Sequence, residues 1–359
     1  TNTTVKLNAP SLLAFPLLSD INGLLFGFSV DGAGDYNKDG KHDIVVGAPG
    51  GLSISPGNLL GGSAYVFTGK SDNTGINTTI HSQLTAGGNL LGPVANLFGY
   101  KVKGAKNAAG TRTGTVLVSA PSGNVLNNVL GGLRLKAGNI HVFTPAAATG
   151  SHTPRQSFTS PRSTSLLNIL ALQPIDLSVL FGSSMDNMKD VNCDGIGDIV
   201  VGEPLSTGVG LIGVNAVGGS AYVFLGRADS TYNPNTYWFL DNTVSQGLGV
   251  NAASMIGYSV AGAGNTYGSA RGVRALVGAP GKALDFSSGV LALGNTLGTL
   301  FGFTSGGNGL GKSYAYGFDC DRFAFYPDVN ITLINVLVPG NVNTNDIVPA
   351  GTPYGTPVP

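Results

Sequence analysis

Charged residues are scarce in this sequence, and the few present balance. Asp, Glu, Lys and Arg make up 11% of the 359 residues, and 19 acidic side chains face 19 basic ones, so the formal net charge is zero. Without a basic excess the chain lacks the signature of a nucleic-acid-binding protein. Its 42% hydrophobic content excludes the composition of a disordered chain. It also lacks a run of about 18 apolar residues, so we expect no membrane insertion.

Residues that carry catalysis are equally scarce. There are four histidines, two cysteines and one tryptophan, and neither an HExxH nor a GxSxG motif occurs, so we expect no enzyme. The segment 306–313 satisfies the nucleotide-binding pattern GxxxxGK[ST], but strand-like residues follow it where a helix is required. The two cysteines, Cys193 and Cys320, can form one disulfide in an oxidising compartment or remain two thiols.

Glycine is abundant, with 56 residues, and much of it lies in three short motifs that recur four times in the same order. The first motif recurs after 72, 83 and 75 residues. The motifs are Phe-Gly at 26, 98 and 181 with Ile-Gly at 256; an apolar run ending in Gly-Ala-Pro or a variant at 47–49, 119–121, 202–204 and 278–280; and Gly-Ser-Ala-Tyr-Val-Phe or a variant beginning at 62, 138, 219 and 298.

The residues within each unit predict short strands. They are β-branched or aromatic runs closed by Gly, Pro, Asn or Ser, which is typical of strands and turns. No long stretch has the 3.6-residue period of an amphipathic helix. Each unit therefore predicts a small antiparallel sheet of three or four strands. Radial repetition of such sheets is how a β-propeller limits its exposed edges.

The Phe-Gly opening and the Gly-Ala-Pro closing resemble the FG-GAP repeat of integrin alpha-subunit heads and many bacterial surface proteins. The resemblance covers about four units, near 20–70, 90–145, 175–227 and 250–306. It implies an all-β propeller, an extracellular or cell-surface location and calcium-binding loops. The integrin head has seven blades. Four units here predict a four- or five-bladed array, closed by the N-terminal strand and the C-terminal tail or completed by a partner chain.

Two of the units contain the acidic pattern D-x-N-x-D-G-x-x-D between the first and second motifs. Oxygen side chains alternating on a tight loop converge on one point and suit Ca²⁺, which takes six to eight oxygen ligands. An EF-hand requires a Glu at loop position twelve, where this chain has Val46 and Val201. The remaining alternative is an Asx-rich turn that binds nothing. The predicted ligands of two structural calcium sites are Asp35, Asn37, Asp39, the carbonyl of Lys41, and Asp43 in the first loop, and Asp190, Asn192, Asp194, the carbonyl of Ile196, and Asp198 in the second.

The corresponding loops of units two and four have lost their acids and contain arginine. One interpretation is that Arg112, and either Arg271 or Arg274, supply positive charge where the metal would sit. The alternative is that they are ordinary exposed loop residues.

Residues 307–359 do not fit the repeat, so the sequence divides into a propeller at 1–306 and a C-terminal β tail. We expect the tail to pack on the propeller or to add a strand to a neighbouring subunit. The low charge suits packing against copies of the same chain. The sequence thus predicts a calcium-stabilised extracellular structural or adhesion protein, the subunit of a homotypic layer, sheath or filament. The alternative function is a monomeric adhesion module whose propeller loops bind a protein or glycan, and an enzyme is the least favoured function.

Overall fold

The computed structural model describes residues 4–9, 25–50, 61–72, 74–86, 97–121, 138–161, 175–177, 180–204, 207–210, 213–214, 219–240, 255–264, 272–280 and 312–319. Within these ranges the regular structure is entirely β, with no helix and therefore none able to span a membrane. The strands are β1 (Ser29–Gly34), β2 (Asp43–Ala48), β3 (Ser63–Gly69), β4 (Ile76–Leu84), β5 (Val102–Lys106), β6 (Arg112–Ala120), β7 (Asn139–Phe143), β8 (Gly150–His152), β9 (Gln156–Thr159), β10 (Ile175–Leu177), β11 (Ser184–Asn187), β12 (Ile199–Glu203), β13 (Thr207–Gly210), β14 (Gly213–Val214), β15 (Ser220–Gly226), β16 (Tyr232–Leu240), β17 (Ser259–Gly264), β18 (Gly272–Ala279) and β19 (Lys312–Asp319).

Four antiparallel sheets follow one another along the chain, and we call them blades 1 to 4. Their strand orders are β1-β2-β3-β4, β5-β6-β7-β9, β11-β12-β15-β16 and β17-β18-β19. A separate small sheet contains β10, β13 and β14. The first strand of each blade contacts the first strand of the next, so β1, β5, β11 and β17 form the inner strands of the array. The chain is thus an all-β, propeller-like array of sheets, as the sequence predicted.

The Phe-Gly motif forms the turn that enters each inner strand. Gly27, Gly99, Gly182 and Gly257 all have φ between 85° and 94°, a region that glycine enters without the steric penalty of a Cβ. The amide of each of these glycines donates to a carbonyl of its own blade, at Gly47, Ser119, Gly202 and Gly278 respectively. The first motif is therefore hydrogen-bonded to the second in all four blades, which explains their fixed order.

Close approach between blades accounts for the glycine of Gly-Ala-Pro. A Cβ added to Gly47 would overlap the carbonyl of Gly99 in the next blade, and one at Gly202 would overlap the carbonyl of Gly257. Neighbouring sheets can therefore pack this closely only because Gly47 and Gly202 have no side chain. Apolar clusters fill the rest of each space, for example Val45 and Val66 of blade 1 against Val102 of blade 2.

Two elements depart from the simple repeat. The short strand β8, which belongs to the second unit by sequence, pairs in parallel with β4 and adds a fifth strand to blade 1. The strand β19 lies beyond residue 306, within the expected tail, and pairs with β18 over its full length. A strand from the segment predicted as the tail is therefore part of the sheet of blade 4. The third motif of unit four, at 298–303, and the tail beyond 319 lie outside the described residues.

Candidate functional site: two acidic loops

The first acidic loop connects β1 to β2, and its side chains fold back on its own backbone. Asp35 accepts hydrogen bonds from the amides of Asp39 (2.9 Å) and Gly40 (2.9 Å). Asp39 accepts from the amide of Lys41 at 2.8 Å and from the side-chain amide of Asn37 at 2.7 Å. The loop therefore gathers the side chains of Asp35, Asn37 and Asp39 within a few residues of backbone.

The second loop connects β11 to β12 and repeats this geometry. Asp190 accepts from the amides of Asp194 (3.1 Å) and Gly195 (2.7 Å). Asp194 accepts from the amide of Ile196 (2.8 Å) and from the side-chain amide of Asn192 (3.0 Å). The two loops thus share these four hydrogen bonds although they lie in different blades, and the first has one more, from the amide of Asp39 to Asn37 Oδ1 at 3.2 Å.

The last acid of each loop is buried and anchors the loop to its sheet. Asp43, 1% exposed, accepts from the amides of Tyr36, Asn37 and Gly69. Asp198, fully buried, accepts from the amides of Val191 and Gly226. Because a carboxylate has about four lone-pair sites, the carboxylates of Asp43 and Asp198 can each still accept a further interaction. The sequence predicted both as ligands but did not predict this anchoring role.

Burial makes the negative charge of these two anchors unfavourable. Desolvation raises the pKa of Asp43, and the nearby Asp39 adds to the rise. The pKa of Asp198 rises to about 7, again mainly because of desolvation, with Asp194 and Asp190 contributing. The carboxylates of each loop are thus close enough to oppose one another's ionisation. A bound cation would relieve that opposition.

The donor set fits a hard divalent cation. In the described part of the chain no group of three or more His, Cys, Asp or Glu side chains is already positioned as a metal cluster. However, Asn192 Oδ1 is buried without a hydrogen-bond partner, at the third position of the second loop. An oxygen withdrawn from water and left unpaired is unfavourable. A cation ligated by Asn192 together with the flanking Asp190 and Asp194 would satisfy it.

Each loop also has one distinctive attachment. In the first, the carbonyl of Tyr36 accepts from the amide of Ala146 at 2.8 Å, and the Tyr36 hydroxyl is hydrogen-bonded to His152 Nδ1 at 2.8 Å, so the loop is tied to the second unit. In the second, Cys193 is disulfide-bonded. The only other cysteine of the sequence is Cys320, which lies outside the described residues.

The arginine of the second unit does not occupy the place of a metal. The guanidinium of Arg112 reaches blade 1, where it donates to the carbonyl of Gly32 at 2.6 Å and to the carboxylate of Asp31. Lys103 lies 3.9 Å from Asp31 and 3.0 Å from Asp186 of blade 3. Arg112 therefore belongs to an ion-pair network that joins the inner strands of three blades. Arg274 is buried in β18, and Arg271 lies outside the described residues.

Exposed aromatic rings mark one end of the inner strands. Phe28, Tyr100 and Tyr258 each follow the Phe-Gly or Ile-Gly dipeptide of their blade. Phe28 is 50% exposed and Tyr258 56% exposed, and the rings of Phe28 and Tyr100 lie 4.8 Å apart. These residues were not predicted as a site, although all three directly follow the first motif of their repeat.

The fold and the loops define a propeller-like protein built from Phe-Gly and Gly-Ala-Pro units. Residues 26–67, which span β1 to β3, match the family model of the FG-GAP repeat. This match confirms the resemblance on which the fold prediction depends, and the Phe-Gly turns of the other three blades have the same hydrogen bonds. Among curated proteins, none matches the chain as a relative.

Proposed function

We propose that this chain is a non-catalytic, calcium-stabilised structural or adhesion protein of the cell surface that assembles with copies of itself. FG-GAP repeats suggest a propeller of the extracellular adhesion type. The single observation that supports calcium best is the buried, unpartnered Asn192 Oδ1 between two carboxylates. The first loop supplies the same residue types and shares the hydrogen bonds to Asp35 and Asp39, although its Asn37 Oδ1 accepts from the amide of Asp39 at 3.2 Å.

Calcium would be held by the side chains of the acidic loops and by the carbonyls of Lys41 and Ile196. When bound, it would neutralise carboxylates whose charges otherwise oppose one another. The chain's own contribution is to anchor each loop through Asp43 or Asp198 to the adjacent β strands, so that the ligands are already on a short, turned segment. Binding to the folded state alone would raise stability by mass action.

Calorimetric titration with Ca²⁺, together with thermal unfolding in calcium and in chelator, tests this role. We expect two sites in the native chain, one in Asp39→Asn, one in Asp194→Asn and none in the double variant, with the calcium-induced rise in Tm shrinking in the same order. Asp72→Asn is the matched control, since Asp72 is an exposed turn carboxylate bonded to Thr74. No calcium binding by the native chain would refute the calcium role, and two sites surviving in the double variant would refute the assignment of ligands.

Self-assembly is supported by the low charge and the zero net charge, because little like-charge repulsion opposes contact between copies. Sedimentation velocity over a range of protein concentrations tests it, first in calcium and then in excess chelator. We expect large species in calcium that dissociate when calcium is removed. A compact monomer at every concentration in calcium would refute homotypic assembly.

The exposed aromatic rings favour a second candidate function. Phe28 and Tyr258 expose about half of their surface at one end of the inner strands, and aromatic residues are enriched at binding surfaces. A monomeric adhesion module would use this end to bind a protein or glycan. Binding to a glycan or extracellular-protein array that is lost in Phe28→Ser with Tyr258→Ser would support this function.

A further inference from the structure

The second unit is fastened to blade 1 by residues 144–152, which we call the strap. The strap ends in β8, which pairs in parallel with β4, and the amide of Thr85 donates to the carbonyl of His152 at 3.1 Å. Of the three residues of β8, Gly150 and Ser151 are exposed and His152 is partly buried. So short and exposed a strand removes little surface from water, and its docking therefore depends on contacts beyond the strand pairing.

Two such contacts come from Tyr36 of the first acidic loop. The side chain of Tyr36 is fully buried, and its hydroxyl is hydrogen-bonded to His152 Nδ1 at 2.8 Å. The two rings are stacked, with centroids 5.9 Å apart and planes inclined by 24°. Near the start of the strap, the amide of Ala146 donates to the carbonyl of Tyr36 at 2.8 Å. One residue of the loop thus contacts the strap through both its side chain and its backbone.

Tyr36 also stands inside the loop that we propose to hold calcium. It lies between Asp35 and Asn37, two of the proposed ligands, and its amide donates to Asp43, a third, at 2.7 Å. Ligation of one cation by Asp35 and Asn37 would therefore fix the backbone of Tyr36 between them. Once Tyr36 is fixed, less conformational freedom remains to be lost when the strap docks. Calcium binding and docking of the strap should therefore favour each other.

The second acidic loop provides an internal comparison. Val191 occupies the place of Tyr36 there, and its amide donates to Asp198 at 2.7 Å. Valine has no hydroxyl, and Val191 packs in the apolar cluster shared by blades 3 and 4. Among the described residues, the sheet of blade 3 has four strands and no counterpart of β8. In that part of the chain the two loops share their ligand types, but only the first is joined to a strap.

We propose that Tyr36 couples docking of the strap to calcium binding in the first loop. The proposal rests on the proposed calcium role and gives the first of the two sites a conformational task. Coupling between two binding events is reciprocal, so docking of the strap raises the calcium affinity of the first loop by the same factor. A chain with calcium in this loop holds its second unit on blade 1, whereas a chain without calcium releases the strap more often.

Amide hydrogen exchange in calcium and in chelator tests this coupling. The amides of Thr85 and Ala146 donate across the contact between the strap and blade 1, so they are the reporters. We expect calcium to slow their exchange by roughly fivefold or more in the native chain and in Asp194→Asn, which retains the first site, but not in Asp39→Asn. The amide of Asn107, which is hydrogen-bonded within its own turn of the second unit, is the reference and should change far less.

Substitution of Tyr36 separates its effect from that of the metal ligands. Tyr36→Phe keeps the ring and removes the hydroxyl bonded to His152. Combined with Asp194→Asn, it should lower the calcium affinity of the first loop several-fold in calorimetric titration and reduce the protection of Thr85. Combined with Asp39→Asn, it should leave the affinity of the second loop unchanged, which makes this pair the matched control. His152→Gln removes the same contact from the side of the strap and should have the same effects.

The outcomes distinguish the coupling from the calcium role itself. If calorimetry shows no calcium binding by the native chain, the calcium role fails and the coupling fails with it. If the first loop binds calcium but the exchange of Thr85 and Ala146 stays the same, the calcium role stands and the coupling is wrong. If calcium protects both amides equally in Asp39→Asn and in Asp194→Asn, the protection reflects overall stability and the proposal is overturned.

Discussion

His141 is a buried residue whose protonation would oppose folding. It occupies the third-motif position that holds Tyr65 in blade 1 and Tyr222 in blade 3. It packs against Phe98 and is hydrogen-bonded through Nδ1 to Ser157 at 2.7 Å, while its Nε2 is buried without a partner. Burial lowers the pKa of its imidazole to about 4, from an ordinary value of 6.5.

The contribution of His141 to stability should therefore fall as pH drops from about 6.5 toward 4, while Asp198, whose pKa is raised to about 7, contributes in the opposite direction. In that window the unfolded state binds a proton that folded His141 rejects, and the difference is worth up to about 3 kcal/mol. His141→Phe removes the group, so in urea unfolding the stability of the native protein relative to this variant should fall between pH 7 and pH 5. The exposed His42→Gln is the control and should leave the profile unchanged. An equal loss in His141→Phe and native protein would show that another group is responsible.

Arg112 is the residue whose removal should most weaken the junction of blades 1 and 2. It donates to Gly32 and Asp31, and the Asp31 side chain is only 14% exposed. Arg112→Gln leaves a largely buried carboxylate without its closest cation, which should cost about 1–3 kcal/mol in free energy of unfolding. Arg155→Gln is the control, because its pair with Asp229 is half exposed, and it should lose far less. Similar losses in the two variants would contradict a junction role for Arg112.

At the scale of elements, one difference between the two acidic loops lies at their fourth position. Lys38 in the first loop and Cys193 in the second both have positive φ, 64° and 62°, and only Cys193 is tied by a disulfide. The bond restricts the second loop between Asn192 and Asp194, which reduces the ordering required on binding calcium.

Reduction by a dithiol, which converts the disulfide to two thiols as the reductant becomes a disulfide, should weaken calcium binding at the second loop by several-fold. The Asp39→Asn variant retains only that site, and the Asp194→Asn variant retains only the first. Calorimetric titration before and after reduction should therefore show a change in Asp39→Asn alone. A comparable change in both variants, or in neither, would contradict the role of the disulfide.

Local sequence predicted the elements that depend on local contacts. Phe-Gly turns and Gly-Ala-Pro strands were predictable because their hydrogen bonds lie within one unit, and the spacing of acids placed both loops. The role of Asp31 was not predictable, since its partner Arg112 is 81 residues away. Nor was β8, because a three-residue parallel strand has no alternation of its own. For β19 the sequence predicted a strand but not its partner β18, because pairing across a sheet is decided by residues distant in sequence.

At the scale of the whole molecule, blades 2 and 3 have a neighbouring blade on both faces, whereas blades 1 and 4 have one neighbouring blade each among the described residues. Repeat arrays derive much of their stability from contacts with neighbours, so the ends should open more readily. We expect slower amide hydrogen exchange in β6 and β12 than in β1 and β17, measured at a concentration where the chain is monomeric. Uniform protection across all four blades would indicate a closed ring instead.

The parallel pairing of β8 with β4 has a consequence for the order of folding during synthesis. The outer strand of the first blade acquires its neighbour only from residues 150–152, well after the rest of that blade has been translated. During synthesis on the ribosome, the outer edge of β4 therefore stays unpaired until much of the second unit has emerged. A fragment that ends before the second Phe-Gly motif would lack β8, so the outer edge of its β4 would stay unpaired. The unit that can fold to completion is consequently longer than one sequence repeat.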